Sequence, residues 1–255
     1  MATTARFKTE RIFHDRQARQ RAATFATEPG RLRFSDDDYL DHEPWVRPAM
    51  DRLGDVRDRR VLDFGCGHGM AAVVLARRGA RVTACDLSTG YVAEAECRAR
   101  ANGVSIQCVA TDGERLPFCS RAFDAVWGHA ILHHLNVASA ARELNRILKP
   151  DGIAIFCEPW GGNPILRLAR QWMPAWPKSR TPLEEPLLPR HIQKLCRVFH
   201  VVRMQPFQVL SIAVRVIGRP AMVLRLERAD SMALQRYPGL ARWCRYVVIE
   251  LRPKA

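Results

Sequence analysis

Between residues 60 and 157, short apolar runs alternate with segments whose apolar positions recur at helical spacing. Residues 61–64 (VLDF) are apolar but for one aspartate and run into Gly65-Cys66-Gly67-His68-Gly69. Residues 70–78 read as helix, ended by Gly79. Residues 81–85 form a second strand, closed by Asp86, and 91–101 a helix before the Asn102-Gly103 turn. Residues 106–110, 123–128 and 153–157 are three more strands. Residues 138–148 are helical, stopped by Lys149-Pro150-Asp151-Gly152. Strands alternating with helices at this spacing predict right-handed crossovers and a parallel sheet covered on both faces.

The flanks are less regular. Residues 5–26 predict a helix of mixed charge, broken at Glu28-Pro29-Gly30, and Asp36, Asp37 and Asp38 are placed to cap the next helix. Residues 159–189 hold seven prolines together with Trp160, Trp172 and Trp176, which predicts an insertion or lid. Residues 191–197 read as helix, and 198–207 and 246–251 (YVVIEL) as strands. The expected organisation is an N-terminal helical cap over residues 1–54 and one α/β domain over 55–255, with 159–189 as its lid.

Composition narrows the class. The 255 residues are 47% hydrophobic and 26% charged, which excludes disorder and collagen-like structure. No apolar run reaches the length of a signal peptide or a membrane span, so a cytoplasmic protein is expected. The eight cysteines form no C-x-x-C pair and read as reduced, small apolar residues; no metal-ligand set is expected. The formal charge is +14, and 35 of the 40 basic residues are Arg.

The first strand, the run D-x-G-x-G-x-G and the helix after it make a nucleotide-binding arrangement. Glycine lets the backbone turn tightly and approach a ligand closely. Asp86, ending the next strand, suits a pair of ribose hydroxyls. The spacing departs from G-x-G-x-x-G, and Asp63 at the strand end would repel a pyrophosphate. A cofactor with a positive ammonium group suits Asp63 better, which favours S-adenosylmethionine over a nicotinamide cofactor.

The runs VLDFGCGHG, VTACDLS, ATDGERLPF, FDAVWGHAILHHL and RELNRILKPDGIAIFCEP occur in that order. Over about residues 55–160 the chain resembles the class I S-adenosylmethionine-dependent methyltransferases. The resemblance is closest to the branch containing ubiquinone- and menaquinone-pathway C-methyltransferases and many natural-product enzymes. It implies a Rossmann-like sheet of seven strands, mostly parallel with an antiparallel final strand, and helices on both faces. It places Asp63 near the methionine amino group, Gly65, Cys66 and Gly67 along the cofactor, and Asp86 on the ribose hydroxyls. Leu87 would pack on adenine, Asp112 would accept from its exocyclic amine, and Gly113 would add backbone contact. His129 would stand at the mouth of the fourth strand beside the cofactor's amino-acid end.

Methyl transfer from a sulfonium is chiefly a matter of positioning, and a general base is needed only if the nucleophile must lose a proton. His129 and His133 are the candidate bases, with His134 beside them; the alternative is that Leu132-His133-His134-Leu135 is a hydrogen-bonded structural turn. Glu158 and His191 are further candidates on the acceptor side, each with a structural or surface alternative. For Gly69 the expected role is close helix–strand packing. Tyr39, His42 and Trp45 could roof the cofactor, or Trp45 could pack a helix on the sheet.

The acceptor is expected to be a small molecule. The rival readings are nucleic-acid methylation, protein methylation and a cofactor-binding scaffold. The segment WGHAILHH has no proline of the kind that amino-methylating nucleic-acid enzymes carry, and no RNA-binding module is visible. The paired-glutamate loop of arginine methyltransferases is absent around Glu158. The charge is uneven: residues 151–255 hold 17 basic and 7 acidic residues. That asymmetry points to an anionic acceptor or carrier, or to peripheral docking on an anionic membrane beside an apolar substrate, against a merely solvated basic face.

Overall fold

The structure, a computed structural model, describes residues 2–164, 185–209 and 220–254. One seven-stranded sheet organises the chain: β1 (Arg60–Phe64), β2 (Arg81–Asp86), β3 (Gln107–Ala110), β4 (Phe123–His129), β5 (Leu148–Pro159), β6 (Phe199–Phe207) and β7 (Tyr246–Pro253). Their spatial order is β3-β2-β1-β4-β5-β7-β6. β1 to β5 pair in parallel, while β7 lies antiparallel between β5 and β6. The mostly parallel sheet with an antiparallel final strand is as the sequence resemblance implied.

Alternate residues of the strands feed two cores, because successive side chains leave a strand on opposite faces. Val61, Val82, Trp127 and Ile155 pack on one face with α3 (Val46–Asp51), α4 (Met70–Arg77) and α5 (Thr89–Ala101). Leu62, Phe64, Val126 and Phe156 pack on the other with α6 (Val137–Ile147) and α7 (Pro189–Leu195). Two further helices are α1 (Ala2–Thr27) and α2 (Asp36–Leu40), and α8 (Pro220–Arg236) precedes β7.

The helix ends follow local chemistry. α4 stops at Gly79, whose φ of 85° is left-handed; the Ala80 N–H donates to Leu75 O and the Gly79 N–H to Ala76 O. Asn136 caps α6 by accepting from the Ala138 and Ser139 N–H groups. The cap of α2 differs from expectation. Ser35 is the capping residue, closing a box with Asp38, and Asp36–Asp38 form the first turn. Most of the proline-rich 159–189 segment, with Trp172 and Trp176, lies outside the described residues. All eight cysteines are free thiols. Among the described residues no helix is long and apolar enough to cross a membrane.

The sheet changes winding direction between β1 and β4, which are neighbours although two strands separate them in sequence. Loops leaving the C-terminal ends of such strands flank a crevice, where ligands of open α/β sheets bind. The glycine loop after β1 and the His129 turn after β4 both open there.

Candidate active site

Gly65, Gly67 and Gly69 all adopt left-handed φ values, of 72°, 49° and 78°. Each has a separate reason to be glycine. A Cβ on Gly65 would lie 2.5 Å from Ile131 Cγ1, and one on Gly69 2.5 Å from Ala95 Cβ. Gly67 faces open space, so only its backbone conformation requires glycine. Gly69 therefore spaces α4 from α5, not a helix from a strand. Gly69→Ala is expected to cost about 2–4 kcal/mol, from a left-handed Ala and a clash with the α5 backbone; a denaturation midpoint equal to wild type would contradict this.

The loop is tied to the end of β2. Gly65 and Cys66 N–H groups both donate to Cys85 O at 2.9 Å. Asp86 accepts at 2.9 Å from the Gly67 N–H through Oδ2 and at 2.9 Å from the Ser88 N–H through Oδ1. Burial raises the Asp86 pKa, against the pull of those two N–H groups. A carboxylate has about four acceptor sites, so two remain for a ligand.

Asp63 is 2% exposed, and its Oδ2 has no hydrogen-bond partner among the described residues. Burial, opposed by the Ala72 backbone N–H and helped by the Asp86 charge, pushes its pKa up to about 7. A cavity of about 370 Å³ opens beside it, walled by Gly65, Gly67 and His68. Tyr39, His42 and His129 close the opposite side. The Tyr39 hydroxyl accepts from Trp127 Nε1 at 3.1 Å and lies 3.5 Å from His129 Nδ1. Burial, with His42 adding like charge, pushes the His129 pKa down to about 4. The ring is therefore neutral near pH 7, with one nitrogen able to accept a proton.

The other sequence candidates separate. His133 does not line the cavity: it is 8% exposed, and its Nδ1 lies 2.8 Å from Glu158 Oε2. Glu158, fully buried, also accepts from the Ile131 and Leu132 N–H groups at 2.9 and 2.8 Å. This pair holds the turn after β4, and neither side chain lines the cavity. Trp45 is likewise buried, stacked on Tyr246 at 4.3 Å, and does not reach the cavity. His191 accepts from the Leu188 N–H at the start of α7. Leu87 and Asp112 are part-buried; Asp112 Oδ1 accepts from the Glu114 N–H, and Gly113 packs against Phe64 and Leu135.

α1 lies across the end of β2, a placement with no motif along the chain to mark it. Asp15 Oδ1 accepts from Ser88 Oγ at 2.5 Å and from the Gly90 N–H at 3.2 Å. Tyr91 donates to Gln17, and Arg21 grips Glu94 with two nitrogens. The i, i+4 spacing of Glu10 and His14 was the one local signal of this face.

The winding switch, the glycine loop, the acid ending β2 and the neutral histidine at the mouth of β4 define a nucleotide-type crevice with a buried carboxylate, Asp63, in its wall. Residues 62–156 match the methyltransferase domain family, and this stretch is similar to class I S-adenosylmethionine-dependent methyltransferases. Among curated relatives, demethylmenaquinone methyltransferase of Beutenbergia cavernae is 37% identical over 121 residues, 46% of this chain and 49% of that protein. Malonyl-[acyl-carrier protein] O-methyltransferase of Pseudescherichia vulneris is 34% identical over 139 residues, 52% of this chain and 53% of that protein. The chain thus spans about half the length of the curated relatives it matches. Among solved structures, the [4+2]-cyclase SpnF matches with a TM-score of 0.58 at 22% identity, over 84% of each chain. Geranyl diphosphate C-methyltransferase of Streptomyces coelicolor A3(2) matches with a TM-score of 0.57 at 18% identity, over 82% of this chain and 78% of that one. Those two likenesses concern the fold alone.

Proposed function

We propose that the protein transfers a methyl group from S-adenosylmethionine to a small-molecule acceptor at the cavity beside Asp63 and His129. The observation that carries this reading is Asp63: a buried carboxylate oxygen without a hydrogen-bond partner among the described residues, lining a cavity beside a glycine loop. Such an oxygen is costly unless a cation or donor meets it. The cofactor's ammonium group is that donor, and the donor set fits it. Gly65, Cys66 and Gly67 line its path with backbone, Asp86 takes the ribose hydroxyls, and Leu87, Asp112 and Gly113 lie towards the adenine. When bound, the cofactor supplies an electrophilic methyl and a neutral thioether leaving group. His129, held neutral and oriented by Tyr39, takes the proton of an O or N nucleophile late in the transfer, when gaining the methyl group has made that proton acidic enough for a base with a pKa of about 4. The finer reading gives the acceptor or its carrier negative charge, supported by the basic excess of residues 151–255.

The direct test is mass spectrometry on a metabolite panel with enzyme and cofactor. A product one methylene heavier than its precursor, formed only with both present, is expected; none from any panel would sink the reading. His129→Ala is expected to lower kcat by about 10²-fold or more, with cofactor Kd changed by less than about tenfold; unchanged kcat removes the base role.

Cofactor affinity is expected to depend on pH through Asp63. Its folded pKa of about 7 lies above its ordinary 3.8. The proton it holds stabilises the ligand-free fold at low pH, and that stability is lost as pH rises through about 7. The ammonium needs the ionised form, so affinity should fall as pH drops below about 7, approaching about tenfold per unit. Asp63→Asn should flatten this dependence and weaken binding at pH 8, both read by calorimetry.

A further inference from the structure

We propose that Glu10, His14 and His134 form a site for a single divalent transition metal, with zinc the best chemical match, which fastens α1 to the turn after β4. Glu10 and His14 are one helical turn apart on α1, and His134 comes from the short 3-10 turn Leu132–His134. One ligand atom from each lies within 4.8 Å of the other two. His14 Nε2 is 3.4 Å, and His134 Nδ1 3.3 Å, from the same Glu10 Oε2. A tetrahedral zinc with bonds of about 2.0–2.1 Å sets its ligand atoms about 3.3–3.4 Å apart. Two of the three edges therefore already have the length a metal would impose.

Chemistry selects the ion. Two imidazole nitrogens and one carboxylate oxygen suit zinc or a neighbouring first-row metal, not the all-oxygen shells of calcium or magnesium. Side-chain exposures of 6%, 24% and 17% for Glu10, His14 and His134 shield the site yet leave both histidines reachable from solvent. His134 Nδ1 is buried and makes no hydrogen bond among the described residues. The two imidazoles meet edge to face with ring centres 5.6 Å apart, converging on the carboxylate. The Asp86 carboxylate acts electrostatically on both histidines, which further favours a cation here. No C-x-x-C or H-x-x-x-H pattern announces the set, because its two halves are separated by more than a hundred residues of sequence.

The inference does not rest on methyl transfer, and its test does not read turnover. The intact chain would be stripped with EDTA, dialysed and titrated with Zn²⁺ by calorimetry, and with Co²⁺ by visible absorption. Expected are one saturable equivalent of zinc, intense tetrahedral Co²⁺ bands, and a higher melting temperature with zinc. His14→Ala and His134→Ala should each weaken zinc binding by at least about 10–100-fold, while replacing the exposed His200 leaves it unchanged. Glu10→Gln, nearly the same in shape, carries the test should an alanine variant misfold; it should lose zinc affinity while keeping its far-ultraviolet circular dichroism. Absence of saturable uptake by the wild-type chain overturns the proposal. So does full affinity in the folded His14→Ala/His134→Ala double variant.

Discussion

Asp86→Ala is expected to weaken S-adenosylmethionine binding by about 10²-fold or more in calorimetry. The residue would act twice. Its free acceptor sites would take the ribose hydroxyls, at about 1.5–3 kcal/mol for hydrogen bonds to a charged group. It also accepts from the Gly67 and Ser88 N–H groups, joining the glycine loop to the start of α5. Alanine would leave both N–H groups unpaired and let the loop move away from the cofactor's path. Asp86→Asn keeps one oxygen acceptor and the side chain's volume, so it should retain more affinity. A wild-type Kd for the alanine variant would remove Asp86 from the cofactor site and with it the proposed orientation of the ligand.

The largest stability effect is expected at Glu158. Its carboxylate receives two backbone N–H groups and the His133 ring, with no exposure to water. Glu158→Ala strips three buried donors of their acceptor at once. Breaking such a pair typically costs about 3–5 kcal/mol, so the melting temperature should fall by about 8–15 °C for a chain this long. Glu158→Gln keeps an oxygen for Ile131 and Leu132 and should lose less. His129, at the mouth of β4, precedes Ile131 by two residues, so kcat should fall along with stability in the alanine variant. A thermal scan within two degrees or so of wild type would show that the turn is held by something else.

The cofactor half was legible because its signals are local. β1, the glycine loop, α4 and Asp86 follow one another within 27 residues, and each boundary is set by a glycine, a cap or an acid that acts on its neighbours. β5 extends well beyond its apolar run of 153–157. Lys149-Pro150-Asp151-Gly152 looks like a turn, but Leu148 pairs with Phe123 across a register shift and carries the strand through it. Tertiary pairing there overrides local turn chemistry. α8 went unassigned between segments of mixed polarity.

The site divides in the same way. Asp63, Gly65, Gly67 and His129 line one cavity. His133 and Trp45 were placed correctly along the chain, but their side chains pack inward, on Glu158 and Tyr246. Which face of a turn looks inward depends on partners distant in sequence. Asp15 meeting Ser88, and Glu10 meeting His134, are distant pairings of that kind. Nothing within a ten-residue window could reveal them.

The strand order also constrains how the protein is made. Among the described residues β6 pairs with the sheet only through β7, which is translated some forty residues later. On the ribosome, the nascent chain can close β1 to β5 and the crevice between β1 and β4 while β6 still waits without a neighbour. When β7 emerges it must enter between β5 and β6, satisfying two unpaired edges in one step. Until then β5 presents an open edge, the kind of surface on which unfinished chains associate. Vectorial synthesis thus separates the two halves in time, with the cofactor side assembled first and the far side of the sheet completed by a single late strand.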